Sequence, residues 1–105
     1  MSGGHYEYKC FEVSRFAELV EMDVKSRQEK RDIDQGGGYV YTQEALPKPL
    51  LDKMQAFSDV MKICGSMARD IEWFMSGDTG EDKTIADLHK GLTEIGGIID
   101  RHYSV

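Results

Sequence analysis

Two short stretches of this 105-residue sequence gather side chains suited to recognising a ligand. The first is Gly3-Gly4-His5-Tyr6-Glu7-Tyr8-Lys9, which sets two glycines beside an imidazole, two aromatic rings and an ammonium group. Paired glycines let a backbone approach another molecule closely. The second is Trp73 with Ser76-Gly77-Asp78. Trp73 falls off the apolar stripe of its own segment, so its ring points away from that stripe. Each stretch has a plainer alternative, a terminal tail for the first and a ring covering the edge of the core for the second.

Known catalytic patterns are missing. The sequence has no phosphate-binding loop of the Walker type, no dinucleotide fingerprint, no nucleophile elbow and no His-Glu-x-x-His. His5, His89 and His102 share no ligand spacing with one another or with Cys10 and Cys64. The acid pairs Asp32/Asp34 and Glu81/Asp82 read as solvated charge, and Asp78–Asp82 lacks the alternating oxygen ligands of a calcium loop. Neither an enzyme, nor a metal site, nor a cofactor is expected.

Thirteen Lys and Arg against nineteen Asp and Glu give a net charge of -6. That sign opposes general binding to nucleic acid or to an anionic membrane, while leaving room for one local basic cavity. The apolar runs are too short to span a bilayer. Two thiols and no leader-like start predict a reducing, cytoplasmic setting.

These groups have to be positioned by helices. The expected fold is mostly α, a single three-helix bundle-like domain (residues 1–105) with one long central helix, an extended N-terminal arm and room for a short β-hairpin. The arm covers residues 1–13. Ser14 would cap a first helix over residues 15–30, with Val13, Phe16, Ala17, Val20 and Val24 on one side. Residues 34–48, with Gly36-Gly37-Gly38 and two prolines, form a loop in which Tyr39-Val40-Tyr41-Thr42 suits a strand that could lie beside the arm. The long helix covers residues 49–76, begun by Pro49 and stopped by Gly77. In it Leu50, Met54, Phe57, Met61, Cys64, Ala68, Ile71 and Met75 recur at spacings of four and three, the seam of a coiled coil. Ala56, Val60, Ile63, Met67 and Phe74 form a second stripe. So wide an apolar face, with two other helices to cover it, predicts a homodimer or larger homo-oligomer. A third helix over residues 80–102 would open on a Thr79/Asp82 capping box and carry Ile85, Leu88, Leu92, Ile95 and Ile99. Gly91, Gly96 and Gly97 either allow close helix packing or fray it.

Gly-Gly-His-Tyr-x-Tyr-Lys at residues 3–9, and Glu72-Trp73 leading into Ser76-Gly77-Asp78-Thr79-Gly80-Glu81, resemble a family of small proteins common in phage and prophage genomes. Small helical phage proteins of this sort resemble the anti-defence sponges that sequester cyclic nucleotides made by CBASS or Thoeris immunity. The resemblance implies a non-enzymatic protein of the infected bacterial cytoplasm that binds a small nucleotide signal such as a cyclic dinucleotide. Under it, Tyr6 and Tyr8 would stack on bases, Lys9 and Arg69 would meet phosphates, and Asp78 would accept N–H groups from a base edge. Gly3 and Gly4 would let the arm close over the ligand, with His5 and Trp73 completing the set. The alternative is a protein–protein interaction module that binds and inhibits a host protein.

Overall fold

The computed structural model describes residues 4–103. In chain order it contains α1 (Cys10–Ser26), β1 (Arg31–Asp34), β2 (Val40–Gln43), α2 (Lys48–Met75) and α3 (Glu81–Tyr103). The mostly helical architecture, the long middle helix and the hairpin are as expected.

The ends of α2 follow from local chemistry. Pro47 is its N-cap and Pro49 sits in the first turn, where a missing N–H costs nothing. At the other end Gly77 takes a φ of +83°. Its N–H donates to the Phe74 carbonyl at 3.0 Å, and the Asp78 N–H donates to the Trp73 carbonyl at 2.8 Å. This paired closure of the last turn needs a left-handed residue after the helix, which glycine supplies without strain.

Three expectations are corrected. First, α1 starts at Cys10 rather than Arg15 and stops at Ser26 rather than Lys30. Ser14 therefore lies inside the helix, and the segment leading into the first turn is held from a distance by Glu72. Residues 5–9 form turns rather than an extended arm. Second, the Tyr39–Thr42 segment pairs not with the arm but with β1, antiparallel, with Ile33 opposite Tyr41. Gly36, Gly37 and Gly38 all have positive φ and make the turn between the strands. Third, the capping box before α3 does not form. The Thr79 hydroxyl is buried without a hydrogen-bond partner, and Thr84 instead donates its hydroxyl to the Gly80 carbonyl at 2.8 Å.

The helices pack through small residues spaced by seven. On α1 the buried positions are Cys10, Ala17 and Val24; on α2 they are Leu51, Ser58, Gly65 and Glu72. The two helices run antiparallel, so Cys10 meets Glu72 at one end while Ser58 donates its hydroxyl to the Ala17 carbonyl at 2.7 Å in the middle. On α3 the buried positions are Thr84, Gly91 and Ile98, again seven apart. A Cβ on Gly91 would lie 2.7 Å from the Met67 side chain, so this glycine sets the α2–α3 approach. Helix α3 continues unbroken through Gly96 and Gly97. Because Met67 is flexible and can yield, Gly91→Ala is expected to stay within about 1 kcal/mol of wild type, the alanine's helix propensity offsetting the crowding. Thermal denaturation checks this.

Among the described residues α1 and α3 both pack on α2 and not on each other. The result is a single layer of helices measuring 57 × 40 × 12 Å, with a radius of gyration of 18.3 Å, against about 13 Å for a compact domain of this length. The layer has two unlike faces. One is polar, with Glu21, Gln55, Lys62, Lys83 and Asp87 linked by hydrogen bonds and ion pairs. The other carries the Leu50-to-Met75 stripe, whose edges touch α1 and α3, Ala68 and Ile71 lying near Val13 and Phe57 near Ile98. Phe16 of α1 meets Phe57 there edge to face at 6.1 Å. Phe57 is 45 % exposed, Ile85 58 % and Leu92 60 %. Among the described residues the strongest apolar stripe in the sequence is thus only partly covered: Leu50, Phe57 and Met75 are exposed and the five residues between them half-buried.

Candidate functional site

The N-terminal segment is organised around one buried carboxylate. Glu72 is fully buried on α2, where its seven-residue spacing from Gly65 aims it at the start of α1. One carboxylate oxygen accepts the Tyr6 N–H at 3.0 Å and the Tyr8 N–H at 2.7 Å; the other accepts the Cys10 thiol at 3.2 Å. Glu7 and Tyr8 have φ of 58° and 61°, a left-handed pair that costs non-glycine residues roughly 1–2 kcal/mol each. That backbone turns two N–H groups inward as a concave anion site, and the anion filling it is the protein's own. The His5 N–H donates to the Ser76 hydroxyl at 3.0 Å, tying the segment to the end of α2.

Burial alone would raise the Glu72 pKa, but the N–H groups of Tyr8 and Tyr6, the Cys10 thiol and the His5 charge outweigh it and hold the carboxyl below its ordinary value. The same contact works the other way on Cys10, whose thiol is pushed up by burial, by its hydrogen bond to Glu72 and by the Glu72 charge. A carboxyl held low in the folded state adds stability above its unfolded pKa and loses it as the pH falls through the folded value. Acid is therefore expected to release residues 4–9 at a pH below the ordinary glutamate range, and Glu72→Gln to remove that transition. Hydrogen exchange at the Tyr6 and Tyr8 amides reads it directly.

The expected ligand residues fall in three places. Gly3 lies outside the described residues. Gly4 and His5 sit at the Ser76 end of the segment. Tyr6 and Lys9 line a cavity of about 400 Å³ with Val13, Ala68 and Ile71, which opens on the apolar face. Tyr8 stacks on Phe11 at 6.2 Å. Arg69 and Trp73 are brought together on the polar face, the guanidinium 5.1 Å from the ring centre. They line a groove of about 480 Å³ between α2 and α3. Asp78 lines none of these cavities. The segment thus lies against the α2–α3 junction, but Tyr6 and Lys9 open on the opposite face from Arg69 and Trp73.

The α2–α3 groove adds groups that motif reading passed over: Lys62, Lys83 and Lys90, with Asp70, Asp87 and Thr79. Desolvation and the nearby Asp87 charge raise the Asp70 pKa, while the hydrogen bond and charge of Asp87 raise that of Lys83. Their signal in the sequence was periodic: Lys62, Arg69 and Asp70 share one face of α2, and Lys83, Asp87 and Lys90 one face of α3. Glu72 could have been found as the single acid in the buried series Leu51, Ser58, Gly65.

Among the described residues no helix is long and apolar enough to cross a membrane, and no cluster of three His, Cys, Asp or Glu is placed to hold a metal ion. The fold and these sites define the chain as a one-layer, three-helix protein with a ligand-sized polar groove on one face and an apolar surface on the other. No family model matches it, and neither does any curated protein or solved structure.

Proposed function

We propose that this chain is a non-enzymatic interaction protein whose working surface is the apolar face of the helical layer. The observation that supports it is the apolar face formed by the half-buried Leu50-to-Met75 stripe with exposed Phe16, Ile85, Leu92 and Ile99 on either side, on a layer only 12 Å thick. Soluble monomers rarely leave so large a continuous apolar patch in water, and such patches mark association surfaces. Self-assembly, a cytoplasmic location and the absence of catalysis belong to this reading. Native mass spectrometry tests it. A species heavier than the 11.9 kDa chain is expected, whether the added mass is a second copy or another protein. Only free chain, with strong binding of a hydrophobic dye to the bare face, would contradict it.

A second reading, sequestration of a small nucleotide signal by a phage-encoded protein, is favoured by the α2–α3 groove. Its volume lies within the range of small-molecule sites, and it joins Trp73 and Arg69 to three lysines, offset by Asp70, Asp87 and Glu94. Trp73 would stack a base, and Arg69 and Lys90 would meet phosphates. Trp73→Ala is expected to weaken nucleotide binding by about 1–3 kcal/mol, one lost stack, and Tyr6→Ala to leave it unchanged. Calorimetry with a panel of cyclic dinucleotides measures both. Binding that depends on Tyr6 and not on Trp73 would move the site to the arm.

A further inference from the structure

The apolar face has a spacing that suits packing against a reversed copy of itself. On α2 the stripe from Leu50 to Met75 is spaced 4-3-4-3-4-3-4, so it reads the same in both directions about a point between Lys62 and Ile63. Reversal sets Phe57 against Ala68 and Met61 against Cys64, a large side chain facing a smaller one, with Met54 against Ile71 and Leu50 against Met75. The stripe of α3, Ile85 to Ile99 and on to His102, is spaced 3-4-3-4-3 and reverses about the point between Thr93 and Glu94. On α1, Val13, Phe16, Ala17 and Val20 are spaced 3-1-3 and reverse about the point between Phe16 and Ala17.

These three centres lie at one height across the layer. Gly91 packs on Ile63 and Met67, which in an antiparallel pair puts residues 93–94 beside 62–63. Gly65 packs on Ser14, which puts residues 16–17 beside 62–63 as well. A line drawn across the three helices through these points is therefore a two-fold axis of the apolar pattern.

Resting on the interaction reading, we propose that the occupant of the face is a second copy of this chain. It packs face to face about that axis, with α2 antiparallel to its counterpart and α1 and α3 each lying on their own copies. The area suffices. Three helices side by side, the middle one about 42 Å long, present roughly 1,000 Å² of face, or about 2,000 Å² for the pair, the size of a stable homodimer. The centre of the face is apolar, with Lys9 and Lys53 at its edges, so two identical copies can meet there with their apolar residues in contact. At its α1 edge the same axis brings Lys9 of one copy to the level of Asp23 in the other.

Disulfide trapping tests the arrangement in the full chain carrying Cys64→Ser, using Leu50→Cys and Met75→Cys as separate variants. Both positions are half exposed on the face, at 46 % each, so the fold tolerates either change. Mixed and oxidised, the two variants are expected to link to each other in most of the protein, position 50 of one copy to position 75 of the other. Neither variant should link to itself, since like positions lie about 38 Å apart along antiparallel helices. Self-linking of Leu50→Cys would overturn the antiparallel axis. A heavier species made with a different protein would overturn the second copy and leave the interaction reading standing. A chain that stays single, with a dye-binding face, would sink both.

Discussion

Met61→Glu is expected to convert the protein from a pair of about 24 kDa to single chains of 11.9 kDa. Met61 lies at the centre of the α2 stripe, half-buried beside the α1 contact and opposite Cys64 of the second copy. A carboxylate there has no cation within reach once the face is covered. Burying it unpaired costs roughly 3 kcal/mol or more, and a symmetric pair buries two, so the dimer dissociation constant should rise about ten-thousand-fold. Ser66→Glu, little more than one turn away but on the polar face, should leave the mass unchanged. Analytical ultracentrifugation of the two variants separates a loss of assembly from a loss of fold. A Met61→Glu protein that keeps the larger mass would mean that the apolar stripe is not the interface.

The second large effect is expected within one chain. Gly65 is where α1 and α2 come closest: a Cβ there would collide with the Ser14 hydroxyl and lie 3.2 Å from the Ser14 backbone nitrogen. The hydroxyl can rotate away, but the backbone cannot. Gly65→Val should therefore push the helices apart at the middle of their contact, costing about 2–3 kcal/mol, as overpacked cores do. Separation at this point also strains the Ser58–Ala17 and Cys10–Glu72 contacts on either side of it. The melting temperature should fall by more than about 10 °C. Gly91→Ala provides the contrast, because there the obstructing group is a flexible methionine. Equal tolerance at the two glycines would show that α1 is not held by close approach.

Much of the fold was legible because it is written in local chemistry. Pro49 and Gly77 bound α2 through effects confined to one turn, and the three-four spacing of its apolar residues fixes a helix whatever covers it. The start of α1 was not legible, since the segment leading into it is held by Glu72, sixty-two residues away from Cys10. Strand β1 was missed because Arg31-Asp32-Ile33-Asp34 offers one apolar residue to a period of two. The actual helix–helix contacts run through Ser58, Gly65, Ala17 and Gly91, small groups that a search for hydrophobic period passes over. The conspicuous stripe lies instead on the half-covered face of the layer. In the candidate site, Arg69 and Trp73 were legible as neighbours one turn apart, whereas the arm's aromatic and cationic side chains diverge because its backbone turns to hold Glu72.

Small-angle X-ray scattering of the wild-type protein tests the central claim most directly, because it reports mass and thickness together. A covered face predicts a particle of about 24 kDa, two copies of the 11.9 kDa chain, and two helical layers stacked about 10 Å apart. A mass of 11.9 kDa with the profile of one flat layer and a radius of gyration near 18.3 Å would contradict it.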